Sequence, residues 1–141
     1  MEVYYDVYGV HVIVKCEGSE KLLKKLNVDY GWFLVEDKVD SMDLRFYVNC
    51  NENIENKGFV SVCGNNIYID GNNFVFSGEH LGDDDFYTED FRPYFTTAIY
   101  YCLYTNSRDI MIHSAAVDYE GHTVLFIGDS GCGKSSLALR C

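Results

Sequence analysis

The sequence predicts an α+β protein: a β-rich N-terminal part, one long amphipathic helix, then a strand pair running into a glycine-rich loop. Three observations predict it. Residues 1–80 read mostly as strands, with apolar residues of the opening strands alternating with a period of two. From Thr88 the period becomes helical, and near the C-terminus a short apolar strand ends at Gly128-Asp129-Ser130-Gly131-Cys132-Gly133-Lys134-Ser135. Two parts are therefore expected, a β-rich module over 1–80 and a helix with a loop-bearing domain over 81–141.

Val3, Tyr5 and Val7 read as a first strand, with Gly9 as the turn. Val10, Val12, Val14 and Cys16 alternate with His11 and Lys15 as a half-buried second strand, although Ile13 breaks the polar face. Ser19 is placed to cap a short helix over Glu20–Leu26. Trp32–Val35 and Leu44–Val48 are further strand candidates, and Asn51–Lys57 reads as a polar loop. Gly64-Asn65-Asn66-Ile67-Tyr68-Ile69-Asp70 is echoed at once by Gly71-Asn72-Asn73-Phe74-Val75-Phe76-Ser77. Each Gly-Asn pair suits a tight turn feeding a strand, so with Phe59–Cys63 these predict a three-stranded meander.

Phe91, Tyr94, Phe95, Ala98, Ile99, Cys102 and Leu103 then recur at helical spacing, predicting a helix near Asp90–Tyr104. Thr88 or Asp90 can cap it, Pro93 falls in its first turn, and Asn106 and Ser107 end it. Ile110–Ile112 and Ala115–Tyr119 look extended, Glu120-Gly121 is a turn, and Thr123–Ile127 is a short buried strand.

Composition narrows the function classes. A chain of 141 residues with 12 Tyr and 9 Phe has apolar surface enough for a folded core. Its net charge of −11 speaks against nucleic acid or anionic membrane as partner, since both need clustered Lys and Arg. The acidic stretch Asp83-Asp84-Asp85 with Glu89 and Asp90 reads most simply as a solvated loop leading into a helix. None of the six cysteines forms a C-x-x-C pair, which gives a zinc site little support. The N-terminus lacks the basic and apolar regions of a signal peptide, and no apolar run is long enough to span a bilayer. Free thiols and a cytoplasmic location are expected.

The motif that carries chemistry is Gly128–Ser135, which fits G-x-x-x-x-G-K-[ST] without a mismatch. Glycines let the backbone curl so that successive N–H groups face phosphate oxygens. A helix starting near Lys134 adds the positive end of its dipole. The Lys134 ammonium is expected on the β and γ phosphates and the Ser135 hydroxyl on magnesium. The candidate nucleotide-binding residues are Gly128, Asp129, Ser130, Gly131, Cys132, Gly133, Lys134, Ser135 and Ser136, with Ser135 the candidate metal ligand.

The run Ile112-His113-Ser114-Ala115-Ala116-Val117-Asp118-Tyr119-Glu120-Gly121, then Val124–Ile127 and the loop, resembles the HPr kinase/phosphorylase family. The resemblance covers about Ile110–Arg140, and phosphoenolpyruvate carboxykinases share a similar loop and fold. It implies the start of a kinase-like nucleotide-binding domain, an ATP- and magnesium-dependent serine/threonine phosphotransferase, and a protein or peptide phosphoacceptor. His113 matches the family's active-site histidine and becomes the candidate catalytic residue; from the residues alone, a strand-end His without a chemical role is the plainer reading.

Two departures bear on this. Residues 1–80 look smaller and more β-rich than the family's N-terminal domain. The sequence also stops at Cys141, whereas the family's acidic metal ligands follow the loop helix. A weak nucleotide binder with no kinase turnover above background is therefore expected from these residues. The alternative expectation is a non-catalytic module that binds a peptide or a protein and keeps the loop as a relic; a homo-oligomer is a further partner expectation.

Overall fold

The computed structural model describes residues 1–36, 41–50, 58–62, 64–107 and 109–141. The loop expected at Asn51–Lys57, and Cys63 at the end of its strand, lie outside them. The fold is α+β, and it divides into two compact units, Met1–Asp109 and Ile110–Cys141.

The first unit is built on a seven-stranded sheet. Its strands are β1 (Glu2–Val7), β2 (Val10–Cys16), β3 (Leu34–Val35), β4 (Leu44–Val48), β5 (Gly58–Val62), β6 (Asn65–Asp70) and β7 (Asn73–Gly78), in the order β3-β1-β2-β4-β7-β6-β5. The expected hairpin β1–β2 and meander β5–β6–β7 both form, antiparallel, while β4 pairs in parallel with β2 and β7. A parallel neighbour needs a crossover. Helix α1 (Glu20–Tyr30) lies in the one from β2 to β4 and buries Leu22, Leu23 and Leu26.

Burial follows the pleat. Val10, Val12, Val14 and Cys16 are buried while His11, Ile13 and Lys15 are half-buried, so Ile13 sits on the more open face. The covered face meets helix α2 (Arg92–Cys102), which is entered through a wide π turn, Phe86–Phe91, and left through another, Leu103–Ser107. Phe46 stacks on Phe74 with ring centroids 4.7 Å apart and meets Phe91 and Phe95 at 5.7 and 5.0 Å. Burying each such ring stabilises the fold by about 1.5–3 kcal/mol. This aromatic stripe places α2 in the same core as the sheet and in the first unit, whereas the sequence groups it with 81–141.

Several local expectations need correcting. Ser19 makes no side-chain cap bond, and α1 runs past Leu26 to Tyr30. Of Trp32–Val35, only Leu34 and Val35 are strand; Gly31–Phe33 is a 3-10 turn that leaves Trp32 95% exposed. Neither Thr88 nor Asp90 caps the long helix. The Thr88 hydroxyl donates to the Asp85 carbonyl, and Asp90 is buried, accepting from Asn65 Nδ2 at 2.9 Å. Pro93 does lie in the first turn. Ile110–Ile112 joins no ladder among the described residues.

The second unit is a hairpin and a short helix: β8 (Ser114–Tyr119), β9 (His122–Ile127) and α3 (Lys134–Ala138). The strands pair antiparallel across Glu120-Gly121, as that short turn predicts. Both turn residues have positive φ (52° and 77°), and the Gly121 N–H donates to Asp118 Oδ1 at 3.0 Å. Those dihedral signs match the right-handed twist of the strands that the turn joins.

Candidate functional site

The hairpin ladder ends at the pair Ser114–Ile127, and the glycine loop begins at the next residue. His113 immediately precedes Ser114, so the register carries it to the end of the hairpin from which the loop departs. It is exposed there.

Within the loop the glycines have separate reasons. Gly131 and Gly133 take φ of 82° and 91°, which side chains rarely adopt, and a Cβ on Gly128 would meet Cys132 Sγ at 2.9 Å. The Cys132 N–H donates to the Asp129 carbonyl at 3.3 Å, closing the turn. Gly133 ends the loop and starts α3: its carbonyl accepts the Leu137 N–H at 2.9 Å. The amides of Lys134, Ser135 and Ser136 precede that bond, so helix geometry provides them no intrahelical acceptor.

Lys134 binds back onto the loop itself. Its ammonium folds back over the loop, donating to the carbonyls of Gly128 at 2.8 Å and Asp129 at 2.7 Å, and stands 3.9 Å from Cys132 Sγ. The charge is thus held at the loop rather than trailing into solvent. Asp129, Ser130 and Ser135 are exposed around it. A cavity of about 620 Å³ adjoins the loop, lined among others by Ile127, Cys132, Lys134, Ser136, Leu137 and Arg140. Lys134 and Arg140 are the two Lys or Arg residues of the segment 110–141, and both line it. Arg140 lies beyond the motif, and nothing in its spacing marks it in advance.

Among the described residues, the cysteines bring no further chemistry together. Cys16, Cys50, Cys102, Cys132 and Cys141 are free, the first three buried with thiols pushed up by burial, the last two exposed. Among the described residues, no helix is long and apolar enough to cross a membrane, and no three His, Cys, Asp or Glu side chains gather to hold a metal ion. No family model matches the chain, and neither a curated protein nor a solved structure matches it.

Proposed function

We propose that Gly128–Ser135 binds the phosphate tail of a nucleotide, ATP with magnesium, in the manner of HPr-kinase-like proteins. The observation that carries this reading is Lys134, whose ammonium is held over a curled loop by two of the loop's own carbonyls. A phosphate would draw it away from them, because an ammonium is attracted more strongly to a full negative charge than to a neutral carbonyl dipole. The amides at the start of α3 add donors, and Arg140 puts a second cation on the adjoining cavity. Ser135 would give magnesium one oxygen. His113, at the loop end of the hairpin, is the residue for the reacting phosphate. The antiparallel hairpin feeding the loop supports this placement over a parallel βαβ arrangement.

Isothermal titration with magnesium-ATP tests the proposal. A high-micromolar Kd is expected, about −5 to −6 kcal/mol, because one hydroxyl anchors the metal weakly. Lys134→Ala should remove measurable binding while leaving the far-ultraviolet circular dichroism unchanged. Equal affinity in that variant would overturn the proposal.

A protein- or peptide-binding module is the second reading, favoured by one surface feature. Trp32 (95% exposed), Val28 (81%) and Leu34 (46%) are open beside the edge strand β3. If magnesium-ATP does not bind at all, this reading takes precedence.

A further inference from the structure

The acidic stretch after β7 has a feature that a solvated loop would not need. Asp90 is only 2% exposed, and its Oδ1 is buried without a hydrogen-bond partner among the described residues. Its other oxygen, Oδ2, accepts from Asn65 Nδ2 at 2.9 Å. Asn65, itself 1% exposed, is held in turn by the His80 N–H on its Oδ1 at 3.2 Å. His80 Nδ1 lies 2.9 Å from Asp83 Oδ2. Space is kept for this arrangement by glycine: a Cβ on Gly78 would meet Asn65 Oδ1 at 2.5 Å and Asn65 Cα at 2.9 Å. The carboxylate enters from the π turn Phe86–Phe91, a wide turn of a kind that recurs at functional sites.

These residues line a pocket of about 170 Å³, whose wall is Asn65, His80, Asp83, Asp85, Phe86, Glu89 and Asp90, with no Lys or Arg among the described residues. The neighbouring lysines are engaged elsewhere: Lys21 pairs with Asp84, and Lys25 donates to the Asp84 carbonyl. A buried carboxylate with one oxygen unsatisfied is costly, and a bound cation removes that cost.

We propose that this pocket binds a guanidinium group. Four carboxylates carried by different positions of a loop and a turn suit a planar cation with five divergent N–H donors. Asp90 is the buried acceptor of the lining, and Asp83, Asp85 and Glu89 are the more exposed acceptors around it. The group can come from free arginine-like molecules or from an arginine side chain of a peptide.

Thermal melts of the full chain with arginine amide, lysine amide, a glycyl-arginyl-glycine peptide or calcium chloride at matched ionic strength test this. Arginine amide should raise Tm in a saturable way, and lysine amide should do so at least about tenfold more weakly, lacking the fork. Asp90→Asn keeps the bond from Asn65, because its own carbonyl oxygen can still accept, and removes the buried charge. It should fold normally and bind arginine amide at least about tenfold more weakly, the loss expected for a hydrogen bond to a charged group. The Asn65 side-chain amide resonances should shift on titration in the wild type and not in the variant. Tighter binding of the peptide than of arginine amide assigns the group to a peptide, and equal binding assigns it to a small molecule. Equal response to lysine amide, an unchanged response in Asp90→Asn, or a Tm rise with calcium alone would each overturn the proposal.

Discussion

Tyr87 shows how much a single polar contact can govern in this core. Its hydroxyl donates to Asp29 Oδ2 at 2.7 Å, and Arg92 Nε lies 3.2 Å from the same oxygen. Burial pushes the Tyr87 phenol well above its usual range, and the Asp29 carboxylate adds to the shift. Tyr5 and Tyr30 are raised by burial too. The sign follows from linkage: a group that holds its proton more tightly when folded contributes stability that is complete below its unfolded pKa. That contribution is lost as pH rises through the folded value. Stability measured by urea melts should therefore hold below pH ~10, the unfolded tyrosine value, and fall above it. Tyr87→Phe should lower stability at neutral pH by about 1–2 kcal/mol and make the alkaline fall shallower. An unchanged alkaline slope would show that Tyr87 is not among the groups responsible. Gly78 makes a second residue-scale case. It combines φ of 152° with a Cβ position 2.9 Å from Asn65 Cα, so Gly78→Ala should cost about 2–4 kcal/mol in the same measurement.

At the scale of elements, α2 holds the first unit together through its aromatic stripe. Phe95 is fully buried and meets Phe46, Phe91, Tyr5 and Tyr30, so it joins the helix to β1, β4 and the end of α1. Phe95→Ala should cost about 3–5 kcal/mol, the transfer loss plus the cavity left behind. A loss below about 1 kcal/mol would mean that the neighbouring rings collapse into the gap. The hairpin β8–β9 has a different part. Its tight turn sets the register, and the register decides that His113 and the loop leave from the same end. A one-residue slip would turn each strand over and carry the loop with it.

The two units differ in how their surfaces are used. Every buried residue of the described chain lies in Met1–Asp109; within Ile110–Cys141 no described residue is buried, and Tyr119, Val124, Leu125, Ile127, Leu137 and Leu139 are all exposed. A hairpin with a short helix and no buried residue is marginal in water. Amide hydrogen exchange on the intact chain should therefore show β2 and β4 as the slowest elements, near the global unfolding limit, with β8 and β9 orders of magnitude faster. Protection of β8 and β9 equal to that of β2 and β4 would contradict this ranking. It would mean that the apolar face of the second unit is covered in solution. A nucleotide bound at the loop should slow β9 and α3 selectively, which links the exchange experiment to the titration proposed above.

What the sequence by itself determined is the part of the structure set by local rules. Period-two alternation identified β1 and β2, apolar runs marked β4 as a strand, and Gly-Asn pairs identified the meander turns. The helical aromatic spacing identified α2, and the loop motif named Lys134 before its position was known. Each depends on near neighbours in the chain. Only the tertiary structure decided the rest. Parallel pairing of β4 with β2 and β7 joins strands distant in sequence, and no local pattern encodes it. Asp90 reads as a helix cap because an Asp stands just before the helical spacing that begins at Phe91; it becomes a buried half-satisfied carboxylate because Asn65, 25 residues away, is brought against it. Arg140 lines the cavity with Lys134 only because α3 follows the loop. Trp32 has the side chain of a strand or core residue, yet it is almost wholly exposed because α1 runs on to Tyr30 and the chain then tightens into a 3-10 turn. Residue type and spacing record what a side chain can do, but its burial and its partners depend on which distant segments the fold brings beside it.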